Sequence, residues 1–404
     1  MKPKSKKIIG TVLCTLLVFN SVSLFAHATD TQYGTVDPSE NIIYDNWDDY
    51  EEFIHEELRL LPTDKYIQLM QRLILTEDGK IRESDENLAE ICSFYEEMEN
   101  ETAQINSLPT SVDLSSDFPS PGNQGSQNSC TSWAVAYAAK SGFEAKERSW
   151  TVGTVNHNFS PSYIYNQVNS GDTGSSILEN LTIVENEGVC PISYLPYNES
   201  DYTTQPTAIQ EAAASIYKGS TKHPVFGLSD IKEKINDGRA VIISIYVYPD
   251  FDNLNATTNQ IYDSTTGTSR GSHAIALIGY DNNKGTSGAF KILNSWGTDW
   301  GSNGYGWISY DLVQSSVAMR NPETGYCLYG NADTTYTIGD IDCDGSISVT
   351  DANMALQYSV HNATPTALQF VLADADGNAD VSVADSREIL RVATGLETKC
   401  SVYN

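Results

Sequence analysis

A chain of 404 residues, 40% hydrophobic and 19% charged, is long enough for two or three globular domains with a sizeable core. Its formal net charge of -29 excludes phosphate backbones as natural partners, because they need clustered Lys and Arg. The acidity is local, concentrated between Asp37 and Glu101 and in two Asp-rich loops near the C-terminus.

In chain order, residues 1–28 join a basic stretch, Met1-Lys2-Pro3-Lys4-Ser5-Lys6-Lys7, to an apolar run from Ile8 to Phe25 and the small-residue site Ala26-His27-Ala28. That order describes a secretory signal peptide cut after Ala28 rather than a mature membrane helix. No other run reaches the roughly 18 apolar residues a span needs, so the mature chain is expected to be exported and without a membrane span. Residues 29–106 are acidic and carry helical stripes over Tyr50 to Leu61, over Tyr66 to Leu75, and at Leu88, Ile91, Phe94, Tyr95 and Met98.

A helix is expected from Cys130 to Lys146, with Trp133, Ala134, Tyr137 and Ala138 on one side. Cys130 stands at its N-terminus, where the helix dipole favours a thiolate. Ser160 to Tyr165 and Gly174 to Gly188 continue a helix-rich first half. The second half changes period: Ala240 to Tyr248, His273 to Tyr280 and Ala289 to Leu293 are β-branched or aromatic runs bounded by Gly, Asp and Asn, and read as strands.

After Tyr329 a polar joint, Gly330 to Thr337, leads to an internal repeat: Gly339 to Asp351 is echoed by Ala373 to Asp385, and an apolar helical stretch follows each copy. Calcium takes several hard oxygen ligands at loop positions 1, 3, 5, 7, 9 and 12. In the first loop these are Asp340, Asp342, Asp344, the Ser346 carbonyl, Ser348 and Asp351; in the second they are Asp374, Asp376, Asn378, the Asp380 carbonyl, Ser382 and Asp385. Two calcium ions are expected, the second held more weakly because Asn378 supplies less charge and Ala379 replaces the turn glycine Gly345.

Of seven cysteines, Cys14 leaves with the signal and Cys92 lies in the acidic segment 29–106, expected to be removed, so five remain and at least one thiol is free. Pairing of Cys190 with Cys327, or Cys343 with Cys400, is left open by the sequence. His157 and His223 sit in no chemical motif and read as surface or packing residues, and Asp281 and Asp299 as turn carboxylates. No His/Cys pair has zinc spacing, and no Gly-rich phosphate loop follows a strand.

Four landmarks then define a chemistry: Gln124 six residues ahead of Cys130, Gly271-Ser272-His273-Ala274, and Asn294-Ser295-Trp296-Gly297. A thiol, an imidazole and two amides are what nucleophilic acyl transfer requires. Their order, and the stretch from Lys291 to Gly306, resemble the papain family of cysteine peptidases over roughly Leu108 to Tyr329. The resemblance implies an α+β, two-lobe fold, α-rich left and β-rich right, with Cys130 and His273 on facing walls of a cleft. It makes Cys130 the nucleophile, His273 its base and acid, Asn294 the orienter, Gln124 the oxyanion donor and Trp296 the cover of the His–Asn hydrogen bond. It brings Ser175, Ser176, Gly271 and Ala274 to the main side-chain pocket and calls for no catalytic cofactor. By position, between a signal peptide and a peptidase, residues 29–106 read as an inhibitory propeptide, with an acidic helical spacer as the alternative. Two departures stand out. Thr131 occupies a position that is usually Trp, which alters the packing beside the His, and Gln127 replaces a half-cystine, which removes a disulfide.

The C-terminal repeat resembles a dockerin, a small all-α calcium-binding module that plugs enzymes into cohesin modules of a scaffold. Together the resemblances imply a signal peptide (1–28), a propeptide (29–106), a peptidase domain (107–333), a linker (334–338) and a dockerin (339–404), the two modules having separate cores. The function implied is an exported cysteine peptidase acting on polypeptides and attached, through its dockerin, to a cellulosome-like extracellular complex. A catalytically silent docking or inhibitor-type protein on the same fold is the alternative.

Overall fold

The computed structural model describes residues 43–44, 81–82, 108–168, 171–258, 260–319 and 324–403. The signal peptide, the three helical stripes, Cys14 and Cys92 lie outside the described residues. The chain divides into two compact units, Met1–Leu108 and Pro109–Asn404. In the first, Ile43–Tyr44 pairs antiparallel with Ile81–Arg82. Among the described residues no helix is long and apolar enough to cross a membrane.

The second unit begins with strand β1 (Ser111–Asp113) and the central helix α1, which runs through Cys130–Ser132, a π-wound stretch Trp133–Lys140 and Ser141–Arg148. Around α1 pack α2 (Pro161–Val168) and α3 (Ile177–Asn186), and α4 (Ala208–Ser215) follows them in the chain. Helices α3 and α4 each start in a reciprocal capping box, Ser176 with Glu179 and Thr207 with Gln210. Each box satisfies orphan amides of a first turn, which explains why these helices begin where they do.

The β half follows as β2 (Ser220–Phe226), α5 (Gly227–Asn236), β3 (Val241–Tyr246), α6 (Pro249–Asp252), β4 (Ile261–Tyr262), β5 (Ser272–Asp281), β6 (Ala289–Leu293), β7 (Tyr305–Ser309), α7 (Tyr310–Val313) and β8 (Thr324–Gly330). Its sheet runs β2-β8-β3-β5-β6-β7-β4, with β1 joined to β5. All pairings are antiparallel except that of β4 with β7. The three strands expected from β-branched runs are its centre, and Val241, Ile242, Ile243 and Ile245 are fully buried. Strands β2 and β8 carry a weaker signal. Pro224 is tolerated in β2 because that strand lies at the sheet edge, where a missing N–H costs no ladder bond.

The C-terminal repeat forms α8 (Val349–Ser359), α9 (Ala367–Ala373) and α10 (Val383–Ala393), with α8 packed on α10. Its core is not separate, contrary to the expectation from sequence. Helix α9 packs on α4, and Ile338, Ile341, Val371, Leu372 and Val402 join the buried cluster of the α half. The reason is that α4 presents its apolar alanines, Ala213 and Ala214, at this seam, and small side chains let a second helix approach closely.

The five described cysteines are all free thiols, so neither of the pairings left open is made. Cys190, Cys327 and Cys400 are instead buried as small apolar side chains.

Candidate active site

Cys130 is the first residue of α1, half-buried at the helix N-terminus. His273 lies near the start of β5. Strand β6 runs antiparallel beside it with Leu293 opposite Ala276, so Asn294, the next residue, falls at the same end of the sheet as His273. The His273 Nε2–H donates to Asn294 Oδ1 at 2.8 Å, which leaves Nδ1 to face the thiol. Asn294 Oδ1 also accepts the Ser295 N–H at 2.8 Å, and this pins the amide with its oxygen toward the imidazole. His273 and Asn294 are both buried.

Burial pushes the Cys130 thiol up, but the hydrogen bond and charge of His273, with smaller help from the Ala274 N–H and the Thr131 side chain, bring it down to about 7. Burial drives the other described cysteines the opposite way, Cys327 and Cys400 to about 12. Cys190 and Cys343 are also raised. Among the described cysteines, the only thiol pulled toward its anion is the one beside an imidazole.

Gln124 is tied to the Asn294 segment by two reciprocal bonds. Its N–H donates to Ser295 O at 2.8 Å, and Ser295 Oγ donates to Gln124 Oε1 at 2.7 Å. One Nε2–H is spent on Gln127 O at 2.8 Å, so the second remains for the cleft that Gln124 lines. Gly125 holds the loop between them at φ +59°, and a Cβ there would overlap the Glu199 carboxylate. Trp296 lies with its ring centroid 4.7 Å from that of His273, backed by Phe251 at 5.2 Å. This apolar cover keeps water off the His–Asn bond, which strengthens it.

Cys130 and His273 face a cleft of about 750 Å³, with Ser175 and Ser176 on the side of the α half and Gly271, Ala274 and Trp296 on the other. Eight of the nine residues singled out from sequence for catalysis and substrate line this cleft, and the ninth, Asn294, is buried behind His273, to which it is bonded. A family profile described as Papain family cysteine protease matches residues 108–322. The chain belongs to the papain family of cysteine proteases.

Among its relatives, the Uncharacterized peptidase C1-like protein L477 of Acanthamoeba polyphaga mimivirus is 25% identical over 210 residues, 47% of this chain and 64% of that protein. Cathepsin B-like cysteine proteinase 2 of Haemonchus contortus is 39% identical over 75 residues, 19% of this chain and 21% of that protein. The chain therefore spans less than two thirds of the length of these curated relatives. Xylellain, a cysteine protease from Xylella fastidiosa, superposes with a TM-score of 0.47 at 22% identity, over 55% of this chain and 87% of that one.

The two departures from the papain-family pattern have structural replacements. Thr131 is buried and donates to Ser175 O at 2.9 Å, tying the nucleophile helix to the cleft wall. Gln127 reaches across with Nε2 to the carbonyls of Asn198, Glu199 and Asp201 at 3.2–3.4 Å and accepts from Tyr197 OH at 3.0 Å, so hydrogen bonds pin the loop that a disulfide would have pinned. Sequence reasoning missed Ser244, Arg270 and Tyr326, which also line the cleft, and Ser295, which clamps Gln124. Ser295 stands next to Asn294 in a landmark, but none of the four carries a local signal of this role.

In the C-terminal repeat, carboxylate oxygens of Asp340, Asp342 and Asp351, and of Asp374, Asp376 and Asp385, converge within 4.8 Å of one another. These are hard donors, two of each trio are buried, and burial with the charges of Asp385 and Asp376 pushes Asp374 up to about 7, against the pull of its hydrogen bonds. Such a donor set fits a hard divalent cation. The side chains of Ser348 and Ser382 lie beside the trios. Each caps its helix and donates to the last Asp of its loop at 2.8 Å. Asp344 and Asn378 brace the loops with side chains that accept from the Ser346 and Asp380 amides, at 2.9 and 2.8 Å.

Two outcomes follow at the papain-family site. Gln124→Ala is expected to lower kcat about 10²- to 10³-fold with little change in KM, because an oxyanion donor acts only once charge develops. The acid limb of iodoacetamide labelling should have its midpoint near pH 7, since the thiolate is present above that value and lost below it. In His273→Ala the midpoint should move up, because the largest pull against burial is removed.

Proposed function

We propose that the chain is an exported cysteine peptidase that hydrolyses polypeptides. The observation that carries this is the depressed Cys130 thiol beside a His273 held by Asn294, at the wall of an open cleft. The thiolate attacks the peptide carbonyl, and the oxyanion is received by the Cys130 backbone N–H and the free N–H of Gln124. His273 protonates the leaving amine, then takes a proton from the water that releases the acyl-enzyme. An epoxysuccinyl inhibitor should label Cys130 and stop hydrolysis together. Full hydrolysis after complete labelling would end this reading, and absence of both labelling and hydrolysis would favour the silent alternative.

In the same reading residues 29–106 act as a propeptide, cut away shortly before Leu108. A chain starting at Leu108 should then turn over substrate faster than the unprocessed one; equal rates would reduce the segment to a spacer.

The C-terminal repeat is read as a dockerin that binds two calcium ions and joins a cohesin of a cellulosome-like extracellular scaffold. Calcium would neutralise the two carboxylate trios and hold each loop against its helix. Supporting this, Val349 and Leu356 in one copy and Val383 and Leu390 in the other are exposed at matching positions, as a docking face requires. Thr350 and Gln357 differ from Ala384 and Arg391, so the two faces are not equivalent. Cohesin binding should vanish in Asp340→Ala with Asp351→Ala, and binding that persists in excess chelator would sink the docking reading.

A further inference from the structure

The two acidic loops are close copies in their internal bonds. Asp351 Oδ1 accepts the amides of Ile341 and Asp342, at 2.8 and 3.2 Å, and Asp385 Oδ1 those of Ala375 and Asp376, at 3.0 and 3.4 Å. At the first ligand position the Oδ1 of Asp340 accepts from Asp344 N and that of Asp374 from Asn378 N, both at 3.1 Å. The copies differ at the other oxygen. Asp340 Oδ2 accepts the Gly345 amide, whereas Asp374 Oδ2 accepts the Ala379 amide at 2.8 Å and, at 2.6 Å, the hydroxyl of Tyr194 from the catalytic half, 180 positions away in sequence.

Tyr194 does not act alone. Asn156 Nδ2 donates to the Asp376 carbonyl at 2.9 Å, so two residues of the α half grip consecutive ligand positions of the second loop. His157 Nε2 bonds the Val402 carbonyl at 2.7 Å, and Trp150 stacks on its ring. The void left at this seam, between Tyr194, Tyr217, Ile338 and Val371, is about 10 Å³, room for one water at most. At Gly377, φ +74°, a Cβ would press on Asn156 and Val402, so the loop can sit this close only with glycine there. Among the described residues the first loop has no such partner from the catalytic half. Val349, Leu356, Val383 and Leu390 stay exposed, so the seam does not consume the face assigned to docking.

We propose that Tyr194 is an outer-shell donor of the second cation site, so that calcium binding in that loop and seating of the C-terminal repeat on the catalytic half are one linked equilibrium. This rests on the calcium reading above. A hydroxyl that donates to the Oδ2 of a ligating carboxylate fixes its orientation and leaves Oδ1 for the ion. Removing such an outer-shell partner typically weakens metal binding 10- to 100-fold. Linkage is reciprocal: whatever factor seating adds to the affinity of the second loop, calcium returns to the seating. The site lacking the usual charge and turn glycine is thereby the one supported from outside.

The test is calorimetric titration of the full chain, thiol blocked, with calcium alone, comparing wild type, Tyr194→Phe and Asn156→Ala. Hydrogen exchange of 208–217 and 366–374 is followed with and without the ion. Wild type should show two binding steps, and each variant should weaken one of them about 10-fold or more while the other stays unchanged, which also certifies that the repeat is folded. Calcium should slow exchange at the seam in wild type and do so much less in Tyr194→Phe. Two unchanged steps in both variants, or equal weakening of both steps, would overturn the proposal. No calcium binding by wild type would overturn the calcium reading itself and the proposal with it.

Discussion

Cys130→Ala is expected to lower kcat/KM on a peptide substrate by about 10⁶-fold, and His273→Ala by a similar factor, because residues that act as one unit lose most of their effect when either is removed. The double variant should then be little worse than either single one. Asn294→Ala is expected to lose less, at most roughly 10⁴-fold, since Asn294 touches only the imidazole and Trp296 still packs on the ring. Steady-state kinetics with a fluorogenic peptide checks the order of the three. Unchanged hydrolysis in purified Cys130→Ala would remove the nucleophile from the reading, and additive losses in the double variant would show that thiol and imidazole do not act together. Thermal unfolding should barely change in Cys130→Ala, because the half-buried thiol gives up little packing.

The largest stability effect is expected one helix turn beyond the α1 midpoint. Glu144 is fully buried and accepts from Lys140 Nζ at 2.5 Å and Arg148 Nε at 2.6 Å. Lys140 is also fully buried, with Ser220 Oγ at 3.1 Å as its other partner and the Phe143 ring 5.0 Å away. Burial holds the lysine below its ordinary range even with Glu144 beside it. Glu144→Gln removes the counter-charge bonded to that ammonium, and should cost about 3–5 kcal/mol in urea unfolding. The sign with pH follows from linkage. In the variant the unfolded chain holds the lysine proton more tightly than the folded one, so stability should rise with pH and the deficit should shrink toward alkaline conditions. A pH-independent deficit below 1 kcal/mol would mean that the triad is not an electrostatic unit. Arg148 also bonds the Ile216 and Asp333 carbonyls, at 3.2 and 2.9 Å, so the variant should loosen the start of the joint to the C-terminal repeat as well.

Cys130 with Gln124, His273 and Asn294 was legible from order alone, because acyl transfer needs those groups and each sits in a short local motif. The central strands were legible because β-branched runs such as Val241 to Ile245 bury both faces and so carry an unbroken apolar signal. The acidic trios were legible because a loop supplies its own ligands within a dozen residues. Long-range choices were not. Nothing in the neighbourhood of Ser295 says that its hydroxyl will hold Gln124, 171 positions earlier, and nothing near Lys140 says that it will be buried against Glu144 rather than left on the helix surface. The free state of Cys190 and Cys327 depended on how the chain packs, which decides whether thiols meet or enter apolar cores. The shared core of the catalytic half and the C-terminal repeat was decided the same way. Composition records that Ala213, Ile338 and Val371 are apolar, but only packing determines whether such residues close separate cores or one another's, and Tyr194 gains its partner Asp374 only once they have closed one.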